Sequence, residues 1–285
     1  FTVNGVQMID PGNPAIKPQR SPRTSILHIP ATPPQPWDYQ EVPHGTVHQH
    51  TYSSKTLERS REFFVYTPPG YERSGDKKYP VLYLVHGSGD NHAAWSGHGK
   101  AHWILDNLIA QGKAQPMIVV MPDGHPIAPG TGSREEYGRA NSEAFEKELT
   151  GEILPLVEAT YRVRSDAQGR ALAGLSMGGG HTLHTGLRHL DAFAWLGAFS
   201  AGIPSGDRIA SAISQPESVN QKLKLFWIAC GKKDFLIPRN RELHDKLTEK
   251  GVRHTWLETE GDHSWPVWRN YLTEFAPLLF KDTAS

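Results

Sequence analysis

Hydrophobic and polar residues follow two different periods along most of the chain. Residues 46–52 and 61–67 alternate as half-buried strands do, and Pro68-Pro69-Gly70 ends the second of them. Short apolar runs follow, separated by segments with helical spacing. The predicted strands are 81–85, 117–121, 170–173, 193–199, 223–229 and 254–257, and the predicted helices are 101–111, 142–161, 177–189, 239–250 and 267–280. This alternation indicates an α/β fold with a mostly parallel central sheet and helices on both faces.

Proline recurs throughout residues 1–43, which show little periodicity. Because proline lacks the N–H group that helices and sheets use, we expect an extended arm or linker here. Trp37 and Tyr39 could pin this arm to a main domain that spans residues 44–285. Pro155 should bend the predicted helix 142–161. The Gly-rich, polar stretch 124–141 predicts a long loop beside the ligand site.

The charge balance argues against two classes of partner. Lys plus Arg number 30 and Asp plus Glu number 30, so the formal net charge is zero. Nucleic-acid-binding proteins usually have a basic excess, and so do proteins that dock on anionic membranes, so neither partner is expected. Cys230 is the single cysteine, which excludes an intrachain disulfide and a thiolate metal cluster. No segment has the pattern of a signal peptide or a membrane span.

The strongest chemical signal is the pentapeptide Gly174-Leu175-Ser176-Met177-Gly178. It follows a predicted strand and opens a predicted helix, which is the setting of a nucleophile elbow in the α/β-hydrolase fold. In such an elbow the turn is tight, the flanking glycines leave room where a Cβ would clash, and the serine hydroxyl is exposed. Ser176 is therefore the predicted nucleophile. The alternative is a Gly-rich helix start that binds phosphate or only packs.

A serine hydroxyl needs an adjacent base, and in this fold the partners follow the nucleophile in the order Asp, His. Asp234 comes just after the predicted strand 223–229, and His263 lies in the loop after the next strand. We therefore predict that Asp234 orients His263, which takes the proton of Ser176. Asp207 and Asp262 compete for the role of the acid.

Acyl transfer also requires hydrogen-bond donors for the developing oxyanion. The N–H of Met177, directly after the nucleophile, is one predicted donor. The second is predicted in the loop that follows strand 81–85, with Ser88 as the first choice and Gly87 as its rival. The candidate substrate contacts are Gly87, Trp95, Asp123 and Trp265. The two tryptophans could stack on an aromatic acyl group, although most tryptophans pack in cores.

Fifteen histidines make a metal site worth testing. His48 and His50 lie two residues apart on a predicted strand, and His181 and His184 have helical spacing. Neither pair has a nearby carboxylate in a known ligand pattern. We therefore favour ordinary polar positions over a zinc site, and no metal is expected.

The segments LVHGSGD, RALAGLSMGGG, ACGKKD and GDHSW together resemble carbohydrate esterase family one, which contains bacterial feruloyl and acetyl-xylan esterases. Enterochelin esterases and mycolyl transferases are related to this family. The resemblance covers residues 45–280 and implies a cofactor-free ester hydrolase whose catalytic residues are Ser176, Asp234 and His263. Residues 3–17 resemble the end of a starch-binding-type carbohydrate module, and we expect a remnant of that module here.

The resemblance leaves the substrate open. Feruloyl esters of arabinoxylan are the first expectation, and acetyl esters of xylan are the alternative. An acyltransferase, or a carbohydrate-binding protein without catalysis, would also fit a hydrolase scaffold. The resemblance further implies feruloylated or acetylated xylan as the partner, and hence a secreted or periplasmic protein.

Overall fold

A computed structural model describes residues 2–128, 133–203 and 208–281. Its strands are β1 (Thr2–Val3), β2 (Val6–Gln7), β3 (Thr46–Ser54), β4 (Arg59–Thr67), β5 (Val81–Val85), β6 (Ile118–Pro122), β7 (Arg170–Leu175), β8 (Trp195–Phe199), β9 (Leu225–Gly231) and β10 (Thr255–Thr259). The first two form a small hairpin, and the others form one sheet in the order β10-β9-β8-β7-β5-β6-β4-β3. Strands β10 to β6 run parallel, whereas β4 and β3 extend one edge in antiparallel fashion. The predicted α/β fold is confirmed.

Helices connect the parallel strands. They are α1 (Ala94–Gly97), α2 (Ala101–Ala110), α3 (Arg134–Glu148), α4 (Leu154–Thr160), α5 (Met177–His181), α6 (Arg208–Ala212), α7 (Pro216–Lys222), α8 (Ile237–Glu249) and α9 (Trp265–Phe275). Two π-helical segments, Leu149–Ile153 and Thr182–Gly186, follow α3 and α5, and short 3₁₀ turns occur at Tyr71–Arg73, Ala167–Gly169 and Ala276–Leu278. No helix in the described ranges combines the length and hydropathy that a bilayer-spanning segment requires.

The sheet separates two hydrophobic cores, because successive side chains of a strand point to opposite faces. In β5, Val81, Tyr83 and Val85 join the core covered by α3, α4 and α8. Leu82 and Leu84 join the core covered by α2 and α9. Both faces of the parallel strands are therefore buried. The carboxyl ends of these strands all lie at the same edge of the sheet, where their loops can meet.

The predicted long loop 124–141 is partly wrong, because α3 begins at Arg134. Residues 129–132 of this stretch lie outside the described residues. The Oγ of Ser133 accepts the N–H of Glu136 at 3.2 Å, and the carboxylate of Glu136 accepts the N–H of Ser133 at 2.8 Å. This capping box satisfies exposed N–H groups of the first turn and outweighs the loop-like composition.

Next to Pro155, where the sequence predicts a bend, a π-helical segment lies directly before α4. Pro155 lies in the first turn of α4, where a missing N–H is tolerated. The wider π turn accommodates the proline ring, which would clash with a carbonyl in a regular helix.

The Pro-rich arm lies against the main sheet domain. Asn107 donates its side-chain N–H groups to the carbonyls of Pro36 at 2.8 Å and Asp38 at 3.0 Å. Trp37 packs partly buried against the second core, whereas Tyr39 is 58% exposed and contacts the ring of Trp103. These contacts agree with the expected pinning role of Trp37. The division into residues 1–43 and 44–285 remains a prediction.

A buried ion pair ties the antiparallel edge of the sheet to α3. The guanidinium of Arg61 donates to both carboxylate oxygens of Glu148, at 2.7 and 3.0 Å. The hydroxyl of Tyr52 donates to the same carboxylate at 2.5 Å. Glu148 is fully buried, so the guanidinium of Arg61 balances its charge and the hydroxyl of Tyr52 adds a hydrogen bond.

We predict that Glu148→Gln lowers the free energy of unfolding by about 3–5 kcal/mol, because it leaves the buried Arg61 without its main counter-charge. Urea denaturation followed by circular dichroism measures the change. Asp191→Asn is the matched control, since Asp191 pairs with Lys222 at the exposed surface and should cost less than about 1 kcal/mol. Equal effects of the two substitutions would contradict this account.

Candidate functional site

Ser176 occupies a sharp turn between β7 and α5. Its backbone has φ 53° and ψ −113°, a conformation that residues with a Cβ rarely adopt. The N–H of Ser176 donates to the carbonyl of Phe199 at 2.8 Å, and the carbonyl of Ser176 accepts the N–H of Gly202 at 2.8 Å. These bonds hold the turn against its strain, which costs on the order of 1–3 kcal/mol.

The two glycines that flank the turn are required by close backbone approach. A Cβ on Gly174 would lie 2.8 Å from the carbonyl oxygen of Val85, and a Cβ on Gly178 would overlap that same oxygen. Strand β5 therefore packs directly against the elbow. This contact explains why a Gly-x-Ser-x-Gly pattern appears in the sequence at this place.

The structure brings the three predicted catalytic side chains into one hydrogen-bonded row. The Oγ of Ser176 lies 3.0 Å from Nε2 of His263. The Nδ1 of the same ring lies 2.8 Å from Oδ2 of Asp234. Asp234 follows β9 and His263 follows β10, so all three come from the carboxyl ends of parallel strands. With Nδ1–H donating to the carboxylate, Nε2 is left to accept a proton from the serine.

The environment of Asp234 keeps it ionised although the residue is buried. Burial alone would raise the pKa of this carboxyl. The hydrogen bonds from His263, from the N–H of Leu236 at 2.8 Å and from the hydroxyl of Ser200 outweigh burial and lower the pKa below its usual value. A carboxylate that stays charged can stabilise an imidazolium beside it.

Ser200 is a supporting residue that the sequence did not reveal. It is fully buried at the end of β8 and has a positive φ of 44°. Its hydroxyl donates to Asp234 and accepts the indole N–H of Trp268 at 3.2 Å. The ring of Trp268 in turn contacts His263 edge-on, with centroids 4.9 Å apart. Ser200 therefore orients the carboxylate of Asp234, and Trp268 orients the imidazole of His263.

The prediction that Trp95 and Trp265 contact substrate is wrong. Trp95 is 1% exposed and Trp265 is 4% exposed. The indole N–H of Trp95 donates to the carbonyl of Val85 at 3.1 Å, and the two tryptophan rings pack edge-on, 5.1 Å apart. Trp95 lies in α1 and Trp265 opens α9, and both side chains belong to the second core. They support the loops rather than bind a ligand.

The predicted oxyanion loop borders Ser176, the predicted nucleophile. A Cβ on Gly87 would lie 3.4 Å from the Cβ of Ser176. Ser88 is exposed beside it. Within the part of the chain that the structure describes, the N–H groups of Gly87, Ser88 and Met177 have no hydrogen-bond acceptor. These groups can therefore donate to an oxyanion near Ser176, and the choice between Ser88 and Gly87 stays open.

Two histidines fix this loop and the loop after β6. His86 donates from Nδ1 to the carbonyl of Gly87 at 2.8 Å and accepts the N–H of Gly124 at Nε2 at 2.9 Å. His125 accepts the N–H of Gly89 at Nε2 at 3.0 Å. Burial lowers the pKa of His125 to about 3, so the ring is neutral and can act as an acceptor.

Asp123, a predicted substrate contact, lies beside this loop and is partly exposed. Its carboxylate is 3.2 Å from Nε2 of His86 and 3.3 Å from Nη1 of Arg61. These contacts leave one side of the carboxylate facing solvent. Asp123 therefore remains a candidate for binding a polar part of the substrate.

Asp262, one competitor for the acid role, has a different partner. The carboxylate of Asp262 accepts the hydroxyl of Ser264 at 2.5 Å and is exposed. Asp207 lies outside the described residues. Asp234 is the carboxylate that the structure places on the imidazole.

The two histidine pairs weighed as metal sites have other partners. His48 contacts the hydroxyl of Thr67, and His50 that of Tyr161. His181 lies 3.0 Å from the carbonyl of Gly124. Among residues 2–128, 133–203 and 208–281, no group of at least three His, Cys, Asp or Glu side chains could hold a metal ion.

Phe235 is an exposed aromatic side chain at the site that sequence reasoning missed. It directly follows Asp234, is 66% exposed, and its ring centroid lies 4.5 Å from that of His263. A single exposed aromatic residue gives no periodic signal, so only the location of Asp234 could have drawn attention to it. Phe235 provides apolar surface at the edge of the catalytic row.

The comparisons with known proteins agree with this geometry. The family model described as "Putative esterase" matches residues 54–279. The chain belongs to this esterase family. The "Endo-1,4-beta-xylanase/feruloyl esterase" of Xylanibacter ruminicola is 35% identical over 262 residues, which cover 90% of this chain. The chain spans about a third of that relative's length, 34%.

An acetyl esterase from Caldicellulosiruptor saccharolyticus is 26% identical over 226 residues, which cover 67% of this chain and 80% of that protein. Among solved structures, a ferulic acid esterase of carbohydrate esterase family one from Anaeromyces mucronatus, in complex with ferulic acid, superposes with a TM-score of 0.73 and 27% identity. That match covers 85% of this chain and 93% of the other. The predicted fold and the family resemblance are both confirmed.

Proposed function

We propose that this esterase-family chain is a serine carboxylesterase that hydrolyses ester groups on plant cell-wall xylan, with feruloyl esters of arabinoxylan as the preferred substrates. The observation that carries the proposal is the row Ser176–His263–Asp234, with contacts of 3.0 and 2.8 Å on a nucleophile elbow. This arrangement is the one that activates a serine for attack on a carbonyl carbon.

In the proposed reaction, Ser176 attacks the ester carbonyl while Nε2 of His263 accepts its proton. Asp234 stabilises the resulting imidazolium, and the N–H groups of Met177 and Ser88, or of Gly87 in place of Ser88, stabilise the oxyanion. His263 then returns the proton to the leaving alcohol, and an acyl-enzyme remains on Ser176. Water activated by His263 releases the acid and restores the serine. No step requires a cofactor.

Two observations favour a feruloyl over an acetyl group. The relatives described above include an endo-1,4-beta-xylanase/feruloyl esterase and a structure that contains ferulic acid. Phe235 also offers an exposed ring beside His263, where an aromatic acyl group could gain contact that acetate cannot. The acetyl esterase relative keeps acetyl-xylan as the second candidate. Since xylan is an extracellular polymer, the proposal includes export of the protein.

We expect Ser176→Ala to lower kcat for methyl ferulate by about a thousandfold or more, because the nucleophile is lost. Initial rates on methyl ferulate and on aryl acetates measure the effect, and the far-ultraviolet circular dichroism spectrum should not change. Retained hydrolysis by the correctly folded variant would exclude Ser176 as the nucleophile. Absence of methyl ferulate hydrolysis in the unaltered protein, with aryl acetates still cleaved, would favour acetyl esters.

Phe235→Ala should lower kcat/KM for methyl ferulate by about fivefold, since stacking of this size contributes on the order of 1 kcal/mol. The rate on a short aryl acetate should fall much less, because its acyl group does not reach the ring. Phe235→Leu is the matched control, as it keeps apolar area but loses the aromatic face. Equal losses on both substrates would instead mean that Phe235 positions His263.

A further inference from the structure

A polar cleft lies where the Pro-rich arm crosses the carboxyl edge of the sheet. Its volume is about 530 Å³, within the range of small-ligand sites. We call it the arm cleft, and define it by six of its lining residues: Gln19, Arg20, Glu62, Asn91, His92 and Asp123. Three parts of the fold thus meet here: the arm, strand β4, and the loops after β5 and β6.

The arm is bonded to the loop that carries the candidate oxyanion donors. The N–H of Arg20 donates to the carbonyl of Gly89 at 2.9 Å, and Gln19 forms a bridge with Asp90. The ammonium of Lys17 lies 3.4 Å from the carboxylate of Asp90, which is buried. These contacts fix the arm as one side of the cleft. The loop 87–90, to which the arm is bonded, also borders Ser176.

The charges of the cleft suit a neutral ligand with many hydroxyl groups. The lining carries the guanidinium groups of Arg20 and Arg61 and the carboxylates of Glu62 and Asp123. Asp123 contacts the guanidinium of Arg61 at 3.3 Å. The two carboxylates disfavour an anion, and the two guanidinium groups disfavour a cation. Carboxylates accept from hydroxyl groups, arginine donates to them, and the amides of Gln19 and Asn91 can do both.

The lining of the arm cleft is polar. Apolar surface is scarce, since the ring of His92 is the main non-polar feature among the six residues, so a lipid or an aromatic ligand is a poor fit.

We propose that the arm cleft binds the saccharide part of the ester substrate, that is, pentose residues of arabinoxylan next to the esterified sugar. This inference rests on the proposed function, which supplies the ester and its polysaccharide. The arm is then part of the substrate site rather than a passive linker. Specificity for the polymer resides in the cleft, while the acyl group lies on the side of Phe235 and His263.

Binding of an unesterified arabinoxylo-oligosaccharide tests the cleft without any hydrolysis. Isothermal titration calorimetry is done on proteins that carry Ser176→Ala, with Arg20→Ala or Glu62→Gln added. Each added substitution should weaken binding by about tenfold, because a hydrogen bond to a charged group is lost. Arg23→Ala is the matched control, since Arg23 lies in the same arm but is not among the lining residues. Arg20→Ala keeps the backbone bond to Gly89, so the arm should stay in place.

Kinetics with Ser176 intact provides the second readout. Arg20→Ala should raise KM for a feruloylated arabino-oligosaccharide about ten times more than it raises KM for methyl ferulate, which has no saccharide. If Arg20→Ala and Glu62→Gln bind the oligosaccharide as tightly as Arg23→Ala does, the saccharide site is excluded, whatever the esterase activity. If the unaltered protein hydrolyses no feruloyl ester, the proposed function is wrong. The calorimetric result still shows whether the arm cleft binds the oligosaccharide.

Discussion

The left-handed backbone of Ser176 is the constraint on which the rest of the site depends. A residue with a Cβ resists this conformation, so the surrounding structure must hold it. Strand β5 passes so close to the elbow that Gly178 cannot carry a side chain, and the neighbouring strand β8 fixes the N–H of Ser176 through Phe199. The serine hydroxyl is thereby held at the carboxyl edge of the sheet, where the loops after β9 and β10 bring Asp234 and His263 to it.

Hydrogen bonds to charged and neutral side chains support Ser176 from two sides. Asp234 is buried but receives hydrogen bonds from His263, Leu236 and Ser200, so it remains a carboxylate. On the other side of the serine, the neutral ring of His125 acts as an acceptor and holds a backbone loop. His125 fixes Gly89, and the arm fixes the same loop through Arg20. Ser176, the predicted nucleophile, therefore lies between two supports. On one side is the hydrogen-bonded carboxylate of Asp234 next to His263, and on the other is the loop that His125 and the arm hold in place.

The features of the site that can be predicted from the sequence are those made by residues close together in the chain or by the order of its elements. The elbow has a five-residue signature because its close contacts are made by its own glycines, and Asp234 and His263 follow strands in a set order. Ser200 could not be found in this way, because only the pairing of β8 with β9 brings it to Asp234. The burial of Trp95 has a similar cause, because its contact with Trp265 joins residues far apart in the chain. The start of α3 was missed although Ser133 and Glu136 form a recognisable capping box, and the contact of Gln19 with Asp90 joins residues far apart in the chain.

The central claim is that His263 activates Ser176 as a nucleophile across the contact of 3.0 Å. Reaction of the unaltered protein with a fluorophosphonate, followed by peptide mass spectrometry, tests it most directly. The account predicts one adduct, on Ser176, and labelling at least about a thousandfold slower in a folded His263→Ala variant. An adduct on another residue, or labelling of Ser176 at an equal rate without the imidazole, would contradict it.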